Sequence, residues 1–395
     1  MGPRRKGITK HYDSIRVCFL IFIVLIISRN TYSQNVVRTN LWEEGKGGYG
    51  SYRIPSLIVA SNGTLLAFAE GRKKSGDSGN IDLLLRRSED NGKTWLPEQV
   101  VWDDSTNTCG NPTPVVDEQT GRIWLFMTWN RGDDSEGEII QKKSKDTRRV
   151  FLSYSDDNGE TWSNPRDVTS QTKKLDWGWY ATGPGVGIQL KHGKYKGRLI
   201  IPADHSFDKP DGKHYGNYGY GAHVIISDDH GKTWRISEPV EQEVNENQIV
   251  ELPDGTLMMN ARNYNDKHSR AVAYSKDGGD TWSDIIFDYQ LVESKCQGSI
   301  LNFGNYHGRN MLLFSNPAVP VGRTHMTIKT SFDNGKSWSN AKLITAGPAA
   351  YSCLTKLPNG NIGLFYEMGE SNAYQTMQFI SFPPGELFSA GTLKQ

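Results

Sequence analysis

The chain has 395 residues, 36% hydrophobic and 23% charged, the composition of an ordinary globular protein, which argues against a disordered or multi-pass membrane chain. Lys and Arg number 45 against 44 Asp and Glu, a formal charge of +1, so no bulk attraction to nucleic acid or anionic membrane exists and any anion selectivity is local. The length suits two or three small domains or one large all-β unit, and only the pattern decides between them.

At the N-terminus Arg4, Arg5, Lys6, Lys10 and Arg16 precede an apolar run over 17–27, too short to span a bilayer comfortably, and the small residues Thr31 and Ser33 suit cleavage before Gln34. Residues 1–33 read as a signal peptide, or as a signal anchor if uncleaved. Either reading puts the body outside the cytoplasm: secreted, periplasmic or membrane-anchored. Of the four cysteines Cys18 leaves with the signal, and Cys109, Cys296 and Cys353 allow at most one disulfide and show no metal-ligand spacing. No metal site is expected. Asn62-Gly63-Thr64 is a glycosylation sequon.

Further along, short apolar or β-branched runs at 53–59, 64–69, 81–85, 123–129, 150–154, 198–202, 222–226, 270–274 and 311–314 are bounded by Gly, Pro, Asn or Asp, as strands are. Between them the pattern S-x-D-x-G-x-[TS]-W recurs five times, at 88–95, 155–162, 227–234, 275–282 and 331–338. Each interval holds about four strands, one propeller blade. The Asp suits bonds to backbone amides, the Gly suits positive φ, and the Trp suits covering the hairpin. Strands within 40–70 and from Tyr351 onward fall outside the box intervals and are expected to combine into a ring-closing sixth blade, giving an all-β, six-bladed β-propeller over 34–395. Boxes repeated on different blades cannot all face one site, so their role is structural, and they carry too few acidic positions for calcium loops. The Gly-Pro-Gly-Val-Gly run at 183–187 has no following helix and reads as a turn, not a dinucleotide loop.

Five such Asp boxes, preceded by Tyr52-Arg53-Ile54-Pro55, resemble the sialidase (neuraminidase) superfamily from about Trp42 to Glu367. The boxes speak for fold; unrepeated residues carry what the resemblance implies about chemistry. It implies that Arg53, Arg262 (in Asn-Ala-Arg-Asn) and Arg323 (after Ser-Asn-Pro) clamp the sialic acid carboxylate, a task suited to planar, permanently charged guanidinium. Asp77, in Gly-Asp-Ser-Gly after Glu70-Gly71-Arg72, takes the general acid/base role, with Arg72 beside the substrate, flanking glycines that let the loop reach over the pocket, and Asp82 the nearest competing carboxylate. Tyr351 takes the nucleophile role and Glu246 activates it, Glu251 being the alternative on the opposite strand face. A phenol suits attack at an anomeric carbon that already carries a carboxylate, because an anionic nucleophile would be repelled. Glu367 orients Arg53, and Asn111 with Trp177, Trp179 and Tyr180 form pocket walls. The implied activity is exo-α-sialidase hydrolysis with retention, on sialylated glycoproteins, glycolipids or oligosaccharides, with no cofactor, no nucleic acid and no stable protein partner. Trans-sialidase or intramolecular trans-sialidase activity, or a noncatalytic sialoglycan-binding propeller, are the alternatives.

Overall fold

The computed structural model describes residues 1–3, 36–211, 217–391 and 393. The chain divides into Met1–Val36 and Val37–Gln395. The targeting segment expected over 1–33 lies outside the described residues apart from 1–3, and no helix among the described residues is long and apolar enough to cross a membrane.

The second unit is all-β, laid down as successive antiparallel meanders. β1 (Val37–Glu43) comes first. It is followed by β2 (Ser51–Val59), β3 (Leu65–Arg72), β4 (Ile81–Ser88) and the edge strand β5 (Gln99–Trp102). Next run β6 (Thr108–Val116), β7 (Ile123–Asn130), a five-residue helix α1 (Glu136–Ile140), β8 (Arg149–Ser155) and β9 (Arg166–Asp167). β10 (Tyr180–Thr182) and β11 (Ile188–Gln189) both pair with β12 (Leu199–Asp208), which continues into β13 (Tyr218–Ser227) and β14 (Arg235–Ile236). β15 (Val244–Glu251), β16 (Leu257–Asn263), β17 (Ser269–Ser275) and β18 (Ile286–Val292) form the next sheet. In the last sheet β19 (Ser299–Tyr306), β20 (Arg309–Pro317) and β21 (Thr324–Ser331) lead into the 17-residue β22 (Asn340–Lys356), then β23 (Ile362–Met368) and β24 (Thr376–Phe382).

β1 pairs antiparallel with β24, so the N-terminal strand completes the C-terminal sheet. The expected pooling of strands within 40–70 with the tail is therefore corrected: 53–59 and 64–69 stay in the first box's own sheet, and the strand that crosses over is β1, which precedes them.

The core lies between successive meanders. On β3 every side chain is buried because the strand's two faces meet different neighbours: Leu65, Ala67 and Ala69 pack with Trp42, Phe365 and Phe379, whereas Leu66 and Phe68 pack with Ile123, Leu125 and Met127. Cys109, Cys296 and Cys353 are buried and free, so the disulfide left open by the sequence does not form.

The Asp boxes stitch this layering together. In the first, Asp90 accepts from the Thr94 amide at 2.9 Å and from the Thr94 hydroxyl at 2.6 Å, while Ser88 accepts from the Gly92 amide at 2.9 Å. Asp157, Asp229, Asp277 and Asp333 repeat the bonds. Residues four and five of each box are both left-handed, with Asn91 at φ 62° and Gly92 at φ 83° in the first. The glycine abuts the preceding sheet: a Cβ at Gly92 would overlap Phe379, one at Gly159 would overlap Leu66, and one at Gly231 would overlap Trp124. The tryptophans reach the same way, Trp95 onto Phe379 and Trp162 onto Phe68 at ring separations of 5.1 and 5.7 Å.

Trp177 and Tyr180 belong to this core and not to a pocket wall. Trp177 stacks on His205 at 3.5 Å, the His205 and His223 Nδ1 atoms lie 3.0 Å apart, and the Tyr180 hydroxyl is 2.8 Å from His223 Nε2. Burial holds both histidines well below their usual proton affinity.

Two expected outcomes follow for stability. Gly231→Ala costs about 2–5 kcal/mol, from left-handed backbone and overpacking together, whereas Gly193→Ala, at φ 64° with nothing within 4 Å, costs only about 1 kcal/mol; urea midpoints check both. Because the folded histidines bind protons more weakly than unfolded ones, stability is present above about pH 6.5 and falls below it, by about 2 kcal/mol per histidine at pH 5. Melting curves between pH 7.5 and 5 should flatten in His205→Asn.

Candidate active site

Within each meander the start of the first strand and the end of the second lie at the same end of the sheet, because the strands are antiparallel. Arg53 (β2), Asn111 (β6), Glu246 (β15) and Tyr351 (β22) come from first strands, and Arg72 (β3), Asp204 (β12), Arg262 (β16) and Glu367 (β23) come from second strands. Four first strands carry one extra residue at this end: between Arg53 and Ser56, Gly110 and Thr113, Val244 and Asn247, and Ala349 and Ser352, three steps on one strand face two on its partner. Bulges of this kind bend the strand and re-aim its side chains. Ile54 and Asn111 take φ 61° and 51° within them. The following Pro55 and Pro112 cost no ladder hydrogen bond in such a break.

The result is a cavity of about 370 Å³ lined by Arg53, Arg72, Asp77, Asn111, Glu246, Arg262, Arg323 and Tyr351 among others. Glu367, buried beneath it, accepts from Arg53 Nε at 3.0 Å and Nη2 at 3.3 Å and from the amides of Ile54 at 2.9 Å and Tyr351 at 3.0 Å. Arg53 spans two aromatic faces, 4.7 Å from the Tyr351 ring centre and 4.5 Å from that of Tyr374. Arg262 donates to Glu246 at 2.8 Å, to the Tyr351 hydroxyl at 3.2 Å and to the Tyr264 hydroxyl at 2.7 Å. Arg323 lies 5.4 Å from the Tyr351 ring centre and bonds the Tyr374 hydroxyl at 2.8 Å, with no carboxylate partner among the described residues. The three guanidinium groups therefore surround one phenol, and one of them lacks a counter-ion.

The Tyr351 hydroxyl donates to Glu246 Oε1. Burial, then the Glu246 carboxylate, push the phenol well above its usual range against Arg262, Arg323 and Arg53, so at neutral pH it holds its proton. Glu251 is not a partner of Tyr351: its carboxylate accepts from the Lys191 and His192 amides at 2.6 and 3.0 Å. Asp77 is half-exposed, 2.9 Å from Arg72 and 4.0 Å from Arg53. Burial works to raise its proton affinity, but Arg72 and Arg53 prevail and hold it below the usual carboxylate range. Its loop is pinned at both glycines, with Arg72 donating to the Gly76 carbonyl at 2.7 Å and Gly79 bonded in both directions to Thr108. Asp82 faces away, accepting from Tyr49 at 2.6 Å.

Several lining residues were not singled out by sequence. Glu70, quoted in the Arg72 motif without a role, accepts from Arg72 Nε at 2.9 Å and from the Asn111 amide at 2.7 Å. Arg148 stacks on Trp179 at 3.9 Å and donates to the Asn111 and Thr128 side chains, and burial pushes it down to about 10. Glu136 enters from α1, Asp204 from β12, and Tyr264 and Tyr374 from loops. Of the expected aromatic walls only Trp179 lines the cavity. A larger cleft of about 930 Å³ beside Arg122, Tyr154 and Lys232 offers an exposed Arg122–Asp156 pair at 2.7 Å and no comparable buried cluster.

The sequence matches the BNR repeat-like domain family over residues 63–364. It is 34% identical to a sialidase of Micromonospora viridifaciens over 84% of this chain and 52% of that protein, and 31% identical to sialidase-2 of Cricetulus griseus over 86% of this chain and 94% of that protein. It thus spans about half the length of the first relative and nearly all of the second. Among solved structures the Hadza microbial sialidase Hz136 superposes with a TM-score of 0.76 at 28% identity, covering 88% of this chain and 69% of that one. With an arginine-lined cavity in which a buried tyrosine meets a glutamate, and with these matches across most of its length, the chain belongs to the sialidase superfamily.

Proposed function

We propose that the chain is an exo-α-sialidase, a retaining glycoside hydrolase that removes terminal sialic acid from glycoconjugates. The observation that carries the reading is the Tyr351 hydroxyl donating into Glu246 at the floor of a cavity walled by Arg53, Arg262 and Arg323. An anionic sugar acid supplies the counter-charge that Arg323 lacks, and its carboxylate suits bidentate guanidinium contacts. A phenol kept neutral by burial approaches the anomeric carbon beside that carboxylate without the repulsion an Asp or Glu would meet. As attack proceeds Glu246 takes the phenolic proton. Arg262, bonded to both groups, stabilises the charge as it moves.

Asp77 is the group that protonates the leaving oxygen. At rest Arg72 and Arg53 hold it ionised. A substrate carboxylate that neutralises Arg53 removes part of that hold, so binding itself raises the proton affinity of Asp77 towards what a general acid needs. Water activated by Asp77 then frees the sugar from Tyr351.

The fold reading that accompanies this function is a ring of six blades with the cavity at one end. The first strands β2, β6, β10, β15, β19 and the second half of β22 each open a four-stranded meander, and the β1–β24 pair supplies the fourth strand of the last. A targeting signal over 1–33, as the sequence pattern reads, would put this action outside the cytoplasm, where sialoglycans are met.

Two variants test the roles. Tyr351→Phe should lower turnover of an aryl sialoside on the order of 100-fold or more; full activity in a folded variant sinks the nucleophile assignment. Asp77→Asn should cost on the order of 10²–10⁴ on an alkyl sialoside. With a good phenolate leaving group it should give a rapid first equivalent followed by slow turnover, because only deglycosylation still needs the base. A uniform loss without a burst contradicts the assignment.

A further inference from the structure

The three arginines around Tyr351 are held in two different ways. Arg53 is fixed by Glu367 at 3.0 Å and Arg262 by Glu246 at 2.8 Å, both buried carboxylates. Arg323 bonds only neutral oxygens among the described residues: the Tyr374 hydroxyl accepts from Nη1 at 2.8 Å, and the Lys295 carbonyl lies 3.5 Å from Nη2. A guanidinium keeps its charge, and Arg323 feels the like charge of Arg53. An empty clamp is therefore a set of cations that repel one another. Arg323, at the end of the loop before β21, is the member that no buried acid restrains.

Tyr374 supplies the restraint. It stands in the connection between β23 and β24, residues 369–375, which side chains of the connection itself lock. Gln375 Oε1 accepts from the amides of Glu370 at 2.7 Å and Ser371 at 2.8 Å, and Asn372 Oδ1 accepts from the Tyr374 amide at 2.8 Å. The Gly369 amide donates to the Pro348 carbonyl at 3.1 Å and the Glu44 amide to the Gln375 carbonyl at 2.8 Å, which ties both ends of the connection to their neighbours. A Cβ on Gly369 would lie 2.2 Å from the Asn372 carbonyl oxygen, so the turn closes only around a glycine. The Tyr374 ring packs against the cluster of Ile54, Ala350 and Tyr351, with Arg53 4.5 Å from its centre. One side chain on a locked loop thus touches two of the arginines, Arg53 through its face and Arg323 through its hydroxyl.

The use of a phenol has a chemical consequence. A carboxylate in this place would neutralise Arg323 and compete with an incoming acid group. A phenol oxygen accepts the hydrogen bond and brings no formal charge. Arg323 is then both oriented and still cationic.

We propose that Tyr374 is a positioning residue for the reaction, holding Arg323 in place for the substrate carboxylate without neutralising it. The inference rests on the sialidase reading and deepens it, adding to the arginine clamp the uncharged group that keeps its third member in register.

The test compares wild type, Tyr374→Phe, Arg323→Ala and the double variant on an aryl sialoside. Tyr374→Phe keeps the ring on Arg53 and removes only the bond to Arg323. It should lose on the order of 10-fold in kcat/KM, chiefly through KM, because anchoring of the carboxylate serves ground state and transition state alike. Arg323→Ala should lose on the order of 100-fold. In the double variant the missing hydroxyl has nothing left to hold, so kcat/KM should match that of Arg323→Ala within about twofold. Losses that add in the double variant place the action of the hydroxyl elsewhere and overturn the inference. A wild-type KM in Tyr374→Phe overturns it as well, and so does a loss confined to kcat with a lowered urea midpoint, the mark of a damaged loop. Each of these leaves the sialidase reading standing. Absence of wild-type turnover on every sialoside overturns that reading and this inference with it.

Discussion

Glu367 is the group on which the rest of the site depends. Its two oxygens hold Arg53 and the amides of Ile54 and Tyr351, so one fully buried carboxylate fixes an anchoring guanidinium, the bulge that aims it and the bulge that aims the tyrosine. A buried acid is tolerated only when its charge and lone pairs are met, and here four donors meet them. Losing it would leave Arg53 with only the half-exposed Asp77 at 4.0 Å as counter-ion and two strands without the bond that sets their separation. Glu70 repeats the device one meander on, joining Arg72 to the amide of the Asn111 bulge.

Fold stability and chemistry are carried by different residues. The Asp-box glycines and tryptophans press against neighbouring sheets, where left-handed backbone and close approach are needed. The site residues lie where four first strands gain an extra residue. A regular strand alternates its side chains between faces that the packed neighbours already occupy, and the bulge frees Tyr351, Glu246 and Asn111 from that alternation. The electrostatics follow. Five arginines converge on a cavity that also takes five carboxyl groups, and burial turns two of these, Glu136 and Asp204, towards the neutral form. What is left favours an anion.

The repeat made the meanders legible because its turn chemistry is local: an Asp that accepts from the amide four residues on and a Gly that accepts positive φ leave a mark in eight consecutive letters. Arg53, Arg262, Arg323, Asp77, Glu246, Tyr351 and Glu367 were legible only through short unrepeated contexts shared with the sialidases, and the structure brings all seven together. Arg148 and Tyr374 left no such mark, since their partners are distant in sequence. Glu136 sits on a helix of five residues, too short to show a period. Asp204 did leave a signal, a single acid directly after the apolar run Ile200-Ile201-Pro202-Ala203, where a charge is costly unless it serves something. Pro55 and Pro112 likewise marked the bulges, as residues that a regular inner strand does not accept. Trp177 and Tyr180 misled because aromatic residues beside a site read alike whether they face a ligand or, as here, buried histidines.

The central claim is that Tyr351, aimed by Glu367 and relieved of its proton by Glu246, forms the bond to the sugar. Its most direct test is to incubate the protein with a 2,3-difluorinated sialic acid, whose fluorine at carbon 3 slows hydrolysis of any glycosyl-enzyme, and to map the adduct by peptide mass spectrometry. The account predicts one sugar per chain, on the peptide that contains Tyr351 and on its phenolic oxygen, and none in Tyr351→Phe. An adduct on Asp77 or Glu246, or turnover of sialosides by a chain that is never labelled, would contradict it.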